Sequence, residues 1–284
     1  MKNHRIIPRL DIKGPNLVKG VKLEGLRVLG DPAIFAQYYY ENGADELFYQ
    51  DVVASLYDRN SLGDIISKTA KKSFIPLTVG GGIRTVEDIK SVLRLGADKV
   101  CINTGAIRNP NFISEAVKKF GSSTIVVSIE CIKQSTGEYL AFTDNGREYT
   151  GVEVVEWAKK IEELGSGEIV VTSVDRDGTG DGFDLDLLKL ITSAVNIPVI
   201  AHGGAGRVED IKAPIHIGKV DAICIASLIH YKSIQESIFT ANEKNSEGNY
   251  SYLSSRKIGF GKIEPTSILE IKEYLNSNDI KTRI

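Results

Sequence analysis

Residues 75–90 read IPLTVGGGIRTVEDIK, and residues 197–212 read IPVIAHGGAGRVEDIK. Nine of the sixteen paired positions are identical at a constant offset of 122 residues. Each copy is a short apolar run, a glycine cluster and then a segment of helical spacing, which is one βα unit. The correspondence extends outward. CIN at 101–103 and CIA at 224–226 recur with one residue of slip, and Glu46 and Glu168 each open a strand after a Gly-Ala or Gly-Ser-Gly bend. Asp11 in RLDIK corresponds to Glu130 in SIECIK.

Eight strand-like runs punctuate the chain, at 5–11, 46–52, 75–79, 99–103, 124–130, 168–174, 197–202 and 222–227. Amphipathic segments separate them, the alternation expected of a parallel sheet covered by helices. In DPAIFAQYYYENG, Asp31 is placed to cap a helix whose first residue is Pro32 and whose end is Gly43. VEDIKSVLRLG and VEVVEWAKKIEELG stop on glycine in the same way. The pattern predicts an α/β fold, a (βα)8 TIM barrel built from two similar (βα)4 half-barrels and forming one domain over residues 1–284. Two segments break the rhythm: a β-hairpin at about 136–151 with an Asn145-Gly146 turn, and a polar insertion at about 232–264. Loops that follow barrel strands lie on the catalytic face, so the second insertion is expected there, either as a surface loop or as a lid.

Composition narrows the function classes. A 42% hydrophobic, 25% charged chain is globular rather than disordered, and a net charge of −2 leaves no basic footprint for nucleic acid or an anionic membrane. The apolar runs fall far short of the roughly 20 residues that span a bilayer. Pro8, Arg9 and Asp11 interrupt any signal-peptide core, and a cytoplasmic location is expected. Cys101, Cys131 and Cys224 lack metal-ligand spacing and read as buried free thiols. Neither a metal nor an organic cofactor is implied.

In such a barrel the residues just past each strand carry the chemistry. Gly81 and Gly82 follow the third strand and Asn103 and Thr104 the fourth; Gly203 and Gly204 follow the seventh and Ser227 the eighth. Glycine lets backbone N–H groups approach an anion, and a following helix adds its dipole. Two such sites predict a phosphorylated small-molecule substrate with a phosphate at each end. Between them, strand parity points Asp11 and Glu130 at the axis, where paired carboxylates can act as acid and base. Lys19, Asp175 and Asp177 are expected on the polar rim. At the other end Arg5, Glu46, Lys99 and Glu168 each begin a strand on the inward side, and their alternating signs predict a salt-bridged ring across the floor.

RIIPRLDIK, LVKG, GADEL, IPLTVGGGIR, GADKV, RNP, VEWA, TSVDRDGT, DGFDL, IPVIA and GGAG together resemble the cyclase (HisF-type) subunit of imidazole glycerol phosphate synthase over about residues 3–231 and the last helix. The resemblance implies an enzyme of the lyase/cyclase type in histidine biosynthesis. It would take ammonia from a glutaminase (HisH-type) partner docked as a heterodimer on the barrel's N-terminal face. That ammonia would cleave and cyclise a bisphosphate formimino-ribulosyl aminoimidazole carboxamide ribotide. By the same resemblance Asp11 and Glu130 are the catalytic acid and base, Lys19 contacts the substrate rim, and Arg5, Glu46, Lys99 and Glu168 form an ammonia gate.

Four features depart from the family pattern. Glu130 stands in place of aspartate, one methylene longer, where a misplacement of about 1 Å can cost about 100-fold. Arg9 replaces a small residue and points inward beneath Asp11, and we expect it to pair with Asp11 or with Glu130. His202 replaces a small hydroxyl residue, either to supply charge to a phosphate or to pack as a neutral ring. The insertion is the fourth. A second reading is a paralogue that relays ammonia to a sugar amidotransferase making acetamidino groups on surface glycans, with little cyclase activity. A third is a phosphosugar barrel such as the aminoimidazole ribotide isomerase, which explains the charged floor less well.

Overall fold

The computed structural model describes residues 3–54, 62–236 and 261–283. Strand β1 (Arg5–Lys13) runs into an antiparallel extension, β2 (Asn16–Val21) and β3 (Glu24–Gly30), followed by α1 (Pro32–Glu41) and β4 (Leu47–Asp51). Then come α2 (Gly63–Ala70), β5 (Leu77–Gly80), α3 (Val86–Arg94), β6 (Lys99–Ile102), α4 (Thr104–Arg108) and α5 (Asn111–Phe120). The second half opens the same way, with β7 (Ile125–Lys133) extended by β8 (Tyr139–Thr143) and β9 (Glu148–Glu153) before α6 (Val154–Glu163). It continues through β10 (Glu168–Ser173), α7 (Leu185–Ala194), β11 (Val199–His202), α8 (Lys212–His216), β12 (Ala222–Ile225) and α9 (Ser227–Gln235), and α10 (Ile268–Ser277) follows near the end.

The parallel strands pair in the order β1, β4, β5, β6, β7, β10, β11, β12, and β12 pairs back onto β1, closing the barrel. Both faces are buried, which is why these strands read as nearly continuous apolar runs. One set, including Ile7, Phe48, Cys101, Val126, Val170, Ile200 and Cys224, fills the lumen. The alternate set, with Leu10, Tyr49, Val79, Ile102, Ile129, Val171 and Ile223, packs with the helices. Burial on this scale, at about 25 cal/mol per Å² of apolar surface, is the main stabilising term. The three cysteines are buried and unbridged.

Two of the positions shared by the repeated segments, the proline and the aspartate, have a hydrogen-bonding reason. Pro76 and Pro198 cannot donate, and their strands begin just after them, two residues into the apolar run; their carbonyls instead accept from Leu47 N–H (2.8 Å) and Ile169 N–H (2.9 Å) of the neighbouring strands. Past the glycines, Asp88 Oδ2 accepts from the backbone of Arg84 (3.0 Å) and Thr85 (2.8 Å), and Asp210 Oδ2 does the same for Gly206 (2.9 Å) and Arg207 (3.1 Å). Each aspartate therefore holds the loop end that presents the glycines. The copies diverge afterwards: α3 is a regular helix, whereas residues Val208–Ile211 form a 3-10 turn, because Pro214 removes the N–H that a continuous helix would direct at Asp210. At the floor a third device recurs. Asp45, Asp98 and Asp221 accept from Ile6 N–H (2.7 Å), Leu77 N–H (2.8 Å) and Val199 N–H (2.7 Å), pinning the starts of β1, β5 and β11.

Several boundaries differ from the sequence expectation. The hairpin is present, with Asp144, Asn145 and Gly146 all at positive φ (53°, 61° and 76°), but it is not unique: β2 and β3 are its counterpart in the first half. Thr124 lies in a 3-10 turn, bonded to Phe120 O, and not in the strand. Residues 232–235, expected to belong to the polar insertion, continue α9. Most of the expected polar insertion, residues 237–260, lies outside the described residues. Its described end lies against the second glycine loop: Glu264 N–H donates to Gly206 O (2.6 Å), and Lys262 pairs with Asp181.

Removing a floor clamp removes a charge-assisted bond. Asp221→Ala is expected to lower stability by about 1.5–3 kcal/mol, and Asp221→Asn by less because it keeps an acceptor. Urea midpoints of the two variants read the difference.

Candidate functional site

The two glycine clusters form matching cups at the C-terminal ends of the strands. Gly81 and Gly82 have φ of 101° and 70°, and Gly203 and Gly204 have 94° and 116°, all in the region that disfavours side chains. A methyl group on Gly203 would sit 2.7 Å from Ser173 O, and one on Gly81 would collide with the equivalent carbonyl, Asp51 O. On the next strand of each half, Asn103 (φ −119°, ψ −82°) and Ala226 (φ −127°, ψ −86°) adopt nearly the same turn into α4 and α9. Gly81, Gly82, Asn103 and Thr104 line one cavity together with Asp51, Ser128 and Glu130. Gly203, Gly204 and Ser227 line the other with Asp177, His202 and Ala226. At the first cup Asn103 Nδ2 donates to Phe142 O (3.1 Å), and Thr104 Oγ1 accepts from Asp144 N–H (3.1 Å). Both contacts tie the hairpin to the barrel, and they leave the Thr104 hydroxyl proton and the second Asn103 amide hydrogen available beside the cavity.

Between the cups lies a buried network of charge. Arg9 is 1% exposed, and its Nε donates to Asp11 Oδ1 at 2.8 Å. Its Nη1 lies 3.4 Å from both Thr172 Oγ1 and His202 Nδ1, and its guanidinium lies over the Phe48 ring at 5.6 Å. Lys19 reaches in from β2 to Asp177 (2.8 and 2.9 Å) and to Asp11 Oδ2 (3.4 Å). Two cations thus face two carboxylates, so the buried charges balance. Burial alone would raise the Asp11 carboxyl, but Arg9 and then Lys19 outweigh it and hold it well below the usual carboxylate range. Burial would likewise discharge Lys19, yet Asp177 and Asp11 keep it charged.

Glu130 has a different environment. Burial pushes its pKa up to about 7, and the more distant Arg9 and the Gly146 N–H only partly oppose this. That N–H donates to Oε2 at 2.8 Å, and among the described residues Glu130 pairs with no cation. His202 is neutral: burial and then the charges of Arg9 and Lys19 drive its pKa well below 6.5. With Nδ1 facing a guanidinium donor, the ring proton belongs on Nε2, 3.8 Å from Asp177 Oδ1.

At the opposite end the four strand-start charges close on themselves. Arg5 binds Glu46 (2.6 Å) and Glu168 (2.8 Å), and Lys99 binds Glu46 (3.2 Å) and Glu168 (3.1 Å). The apolar lumen layer with Ile7, Phe48, Val126 and Val170 separates this ring from the carboxylate centre. Among the described residues no three His, Cys, Asp or Glu side chains are grouped to hold a metal.

The structure therefore gathers Asp11, Lys19, Asp177, Arg9 and His202 into one network, with Glu130 nearby. Lys19 and Asp177 were expected on the rim and instead are 3% and 1% exposed, because β2 folds back over the mouth and carries Lys19 inward. Asp175 does not join them; it accepts from Lys133 N–H (2.8 Å) and fixes the start of the hairpin extension. Of the two pairings expected for Arg9, that with Asp11 forms. Sequence reading missed Thr172, although the parity that turned Glu168 inward turns Thr172 inward too. It also took Gly146 for a turn residue only, not as the donor to Glu130.

A closed (βα)8 barrel with two glycine cups about a carboxylate centre at the C-terminal ends of its strands has the architecture of a barrel enzyme. A family model described as histidine biosynthesis protein matches residues 5–235, and the chain belongs to that family. It is similar to the imidazole glycerol phosphate synthase subunit HisF of Legionella pneumophila, 57% identical over 210 residues that cover 74% of this chain and 99% of the relative. The HisF subunit of Alkaliphilus metalliredigens is 46% identical over 82% of this chain and 93% of its own length. That of Methanocaldococcus jannaschii is 45% identical over 82% and 92%. Among the described residues no helix is long and apolar enough to cross a membrane.

Removing Lys19 leaves Asp177 and Asp11 as like charges in a buried site. Lys19→Met is expected to destabilise the protein by about 3–5 kcal/mol, and the double variant Lys19→Met/Asp177→Asn by distinctly less. Chemical denaturation of the four corners of this cycle checks it.

Proposed function

We propose that this chain is the cyclase subunit of an imidazole glycerol phosphate synthase in histidine biosynthesis, carried on one cytoplasmic barrel domain. The observation that carries the reading is the pair of glycine cups on either side of one carboxylate centre, in a chain 45–57% identical to HisF subunits. Those relatives give no support to a role in glycan amidation. The substrate is the bisphosphate formimino-ribulosyl ribotide. One phosphate is received at Gly81, Gly82 and the turn of Asn103–Thr104, the other at Gly203, Gly204 and Ser227, so the bond to be broken lies over Asp11 and Glu130.

Ammonia adding to a carbonyl needs one group to accept a proton from nitrogen and another to deliver a proton to the departing oxygen. Asp11, held ionised, is the acceptor. Glu130 is the donor: with Oε2 occupied by the Gly146 N–H, the proton sits on Oε1 toward the cavity. Lys19, buried rather than on the rim, orients Asp11 and Asp177. The nucleophile is supplied by a glutaminase partner subunit on the floor, where the ring of Arg5, Glu46, Lys99 and Glu168 is the gate it passes. No organic cofactor or metal enters this scheme.

The decisive experiment is turnover of the bisphosphate substrate by the purified chain with ammonium salt, with imidazole glycerol phosphate and aminoimidazole carboxamide ribotide as the products measured. Absence of turnover under those conditions sinks the reading. At a fixed concentration of free ammonia, kcat should fall as the pH rises past about 7, because Glu130 acts while protonated. Glu130→Gln should remove that limb and lower kcat by about 10²–10⁴.

A further inference from the structure

Arg9 stands where it can act on both carboxylates and touches only one. Its strand neighbours in the barrel are β12 and β4, yet its Nη1 lies 3.4 Å from Thr172 on β10 and from His202 on β11. The guanidinium therefore crosses the lumen, above the apolar layer and below the acids. Asp11 takes its Nε at 2.8 Å, while Nη2 has no hydrogen-bond partner among the described residues. Glu130 is offered only a backbone N–H. Two buried carboxyls near one cation do not share it equally: the one in contact takes the charge, and the other keeps its proton more easily.

We propose that Arg9 is the positioning residue that divides acid from base in this site, keeping Asp11 as the proton acceptor and leaving Glu130 as the donor. The inference rests on the acid–base reading given above and deepens it. Lys19 on β2 cannot substitute, since it is closer to Asp177 (2.8 Å) than to Asp11 (3.4 Å). Of the other groups near this centre, Asp51 on β4 lines the Glu130 cavity and accepts from Val53 N–H (3.0 Å). His202 on β11 and His230 on α9 are uncharged, burial pushes up the thiols of Cys101 on β6 and Cys224 on β12, and Asp144 in the hairpin turn is paired with Arg108. His202 also gains basicity when Arg9 is lost, because the guanidinium is among the causes that keep it neutral.

The test is the pH profile of ammonium-supported kcat at constant free ammonia, compared between wild type, Arg9→Met and Arg9→Lys, and repeated with His202→Asn so that the histidine cannot take over. Loss of the cation raises both carboxyls, so in Arg9→Met both limbs should move to higher pH, by about one unit or more. Arg9→Lys, which keeps the charge, should move them back. A uniform loss of rate with both limbs in place would overturn the proposal and leave Arg9 a packing residue. The protonation of the two acids can also be read without turnover, from carboxyl ¹³C shifts of the full chain. Glu130 titrating near neutrality in wild type and displaced upward in Arg9→Met supports the proposal even if this substrate is not turned over; identical titrations in the two proteins overturn it.

Discussion

The contact on which the site depends is the 2.8 Å bond between Arg9 and Asp11, made inside a barrel lumen where neither charge could remain alone. An isolated arginine there would be costly, and an isolated aspartate would take a proton. Together they stay ionised, and the second pair, Lys19 with Asp177, completes a balance that lets four charges sit 1–3% exposed in the middle of the protein. Glu130 lies outside that balance. Its near-neutral titration follows from being buried without a cation in contact.

The half-barrel repeat explains why such a centre can be held firmly. Each half contributes the same parts: a strand lengthened by an antiparallel pair that folds over the mouth, a glycine cup, and an aspartate fixing the loop behind it. The two extensions meet there, since Asn145 Nδ2 donates to Leu23 O (3.1 Å) across from one to the other. Lys19 and the Gly146 N–H, which contact Asp11 and Glu130, are carried by these extensions and not by the eight barrel strands. The duplicated fold thus provides equivalent positions, and the residues placed at them make the two sides chemically unequal: aspartate with two cations in one half, glutamate with an amide in the other.

Much of this was legible along the chain. Alternation within strands identified the inward-facing set correctly from Arg5 to Asp11 and from Val126 to Glu130, because the side-chain period of a strand is two whatever surrounds it. The same rule brought Arg5, Glu46, Lys99 and Glu168 together at the floor, where charges that begin strands at equal height must meet. Asp175 was misread because a carboxylate beside a pocket looks the same in sequence whether it faces a ligand or bonds a neighbouring backbone. Lys19 was placed on the rim for a related reason: its inward turn depends on β2 pairing antiparallel with β1, a contact the local sequence of LVKG does not announce.

What the amino-acid order determined by itself is the duplicated α/β barrel, its glycine cups and the inward face of each strand, since these follow from periodicity and from backbone conformations that only glycine adopts freely. Which charges pair, and hence which carboxyl holds a proton, was decided by tertiary structure alone. Arg9 lies two residues from Asp11 in sequence, but its other neighbours come from β4, β10 and β11. Electrostatic energy depends on distances and burial that exist only once the sheet has closed.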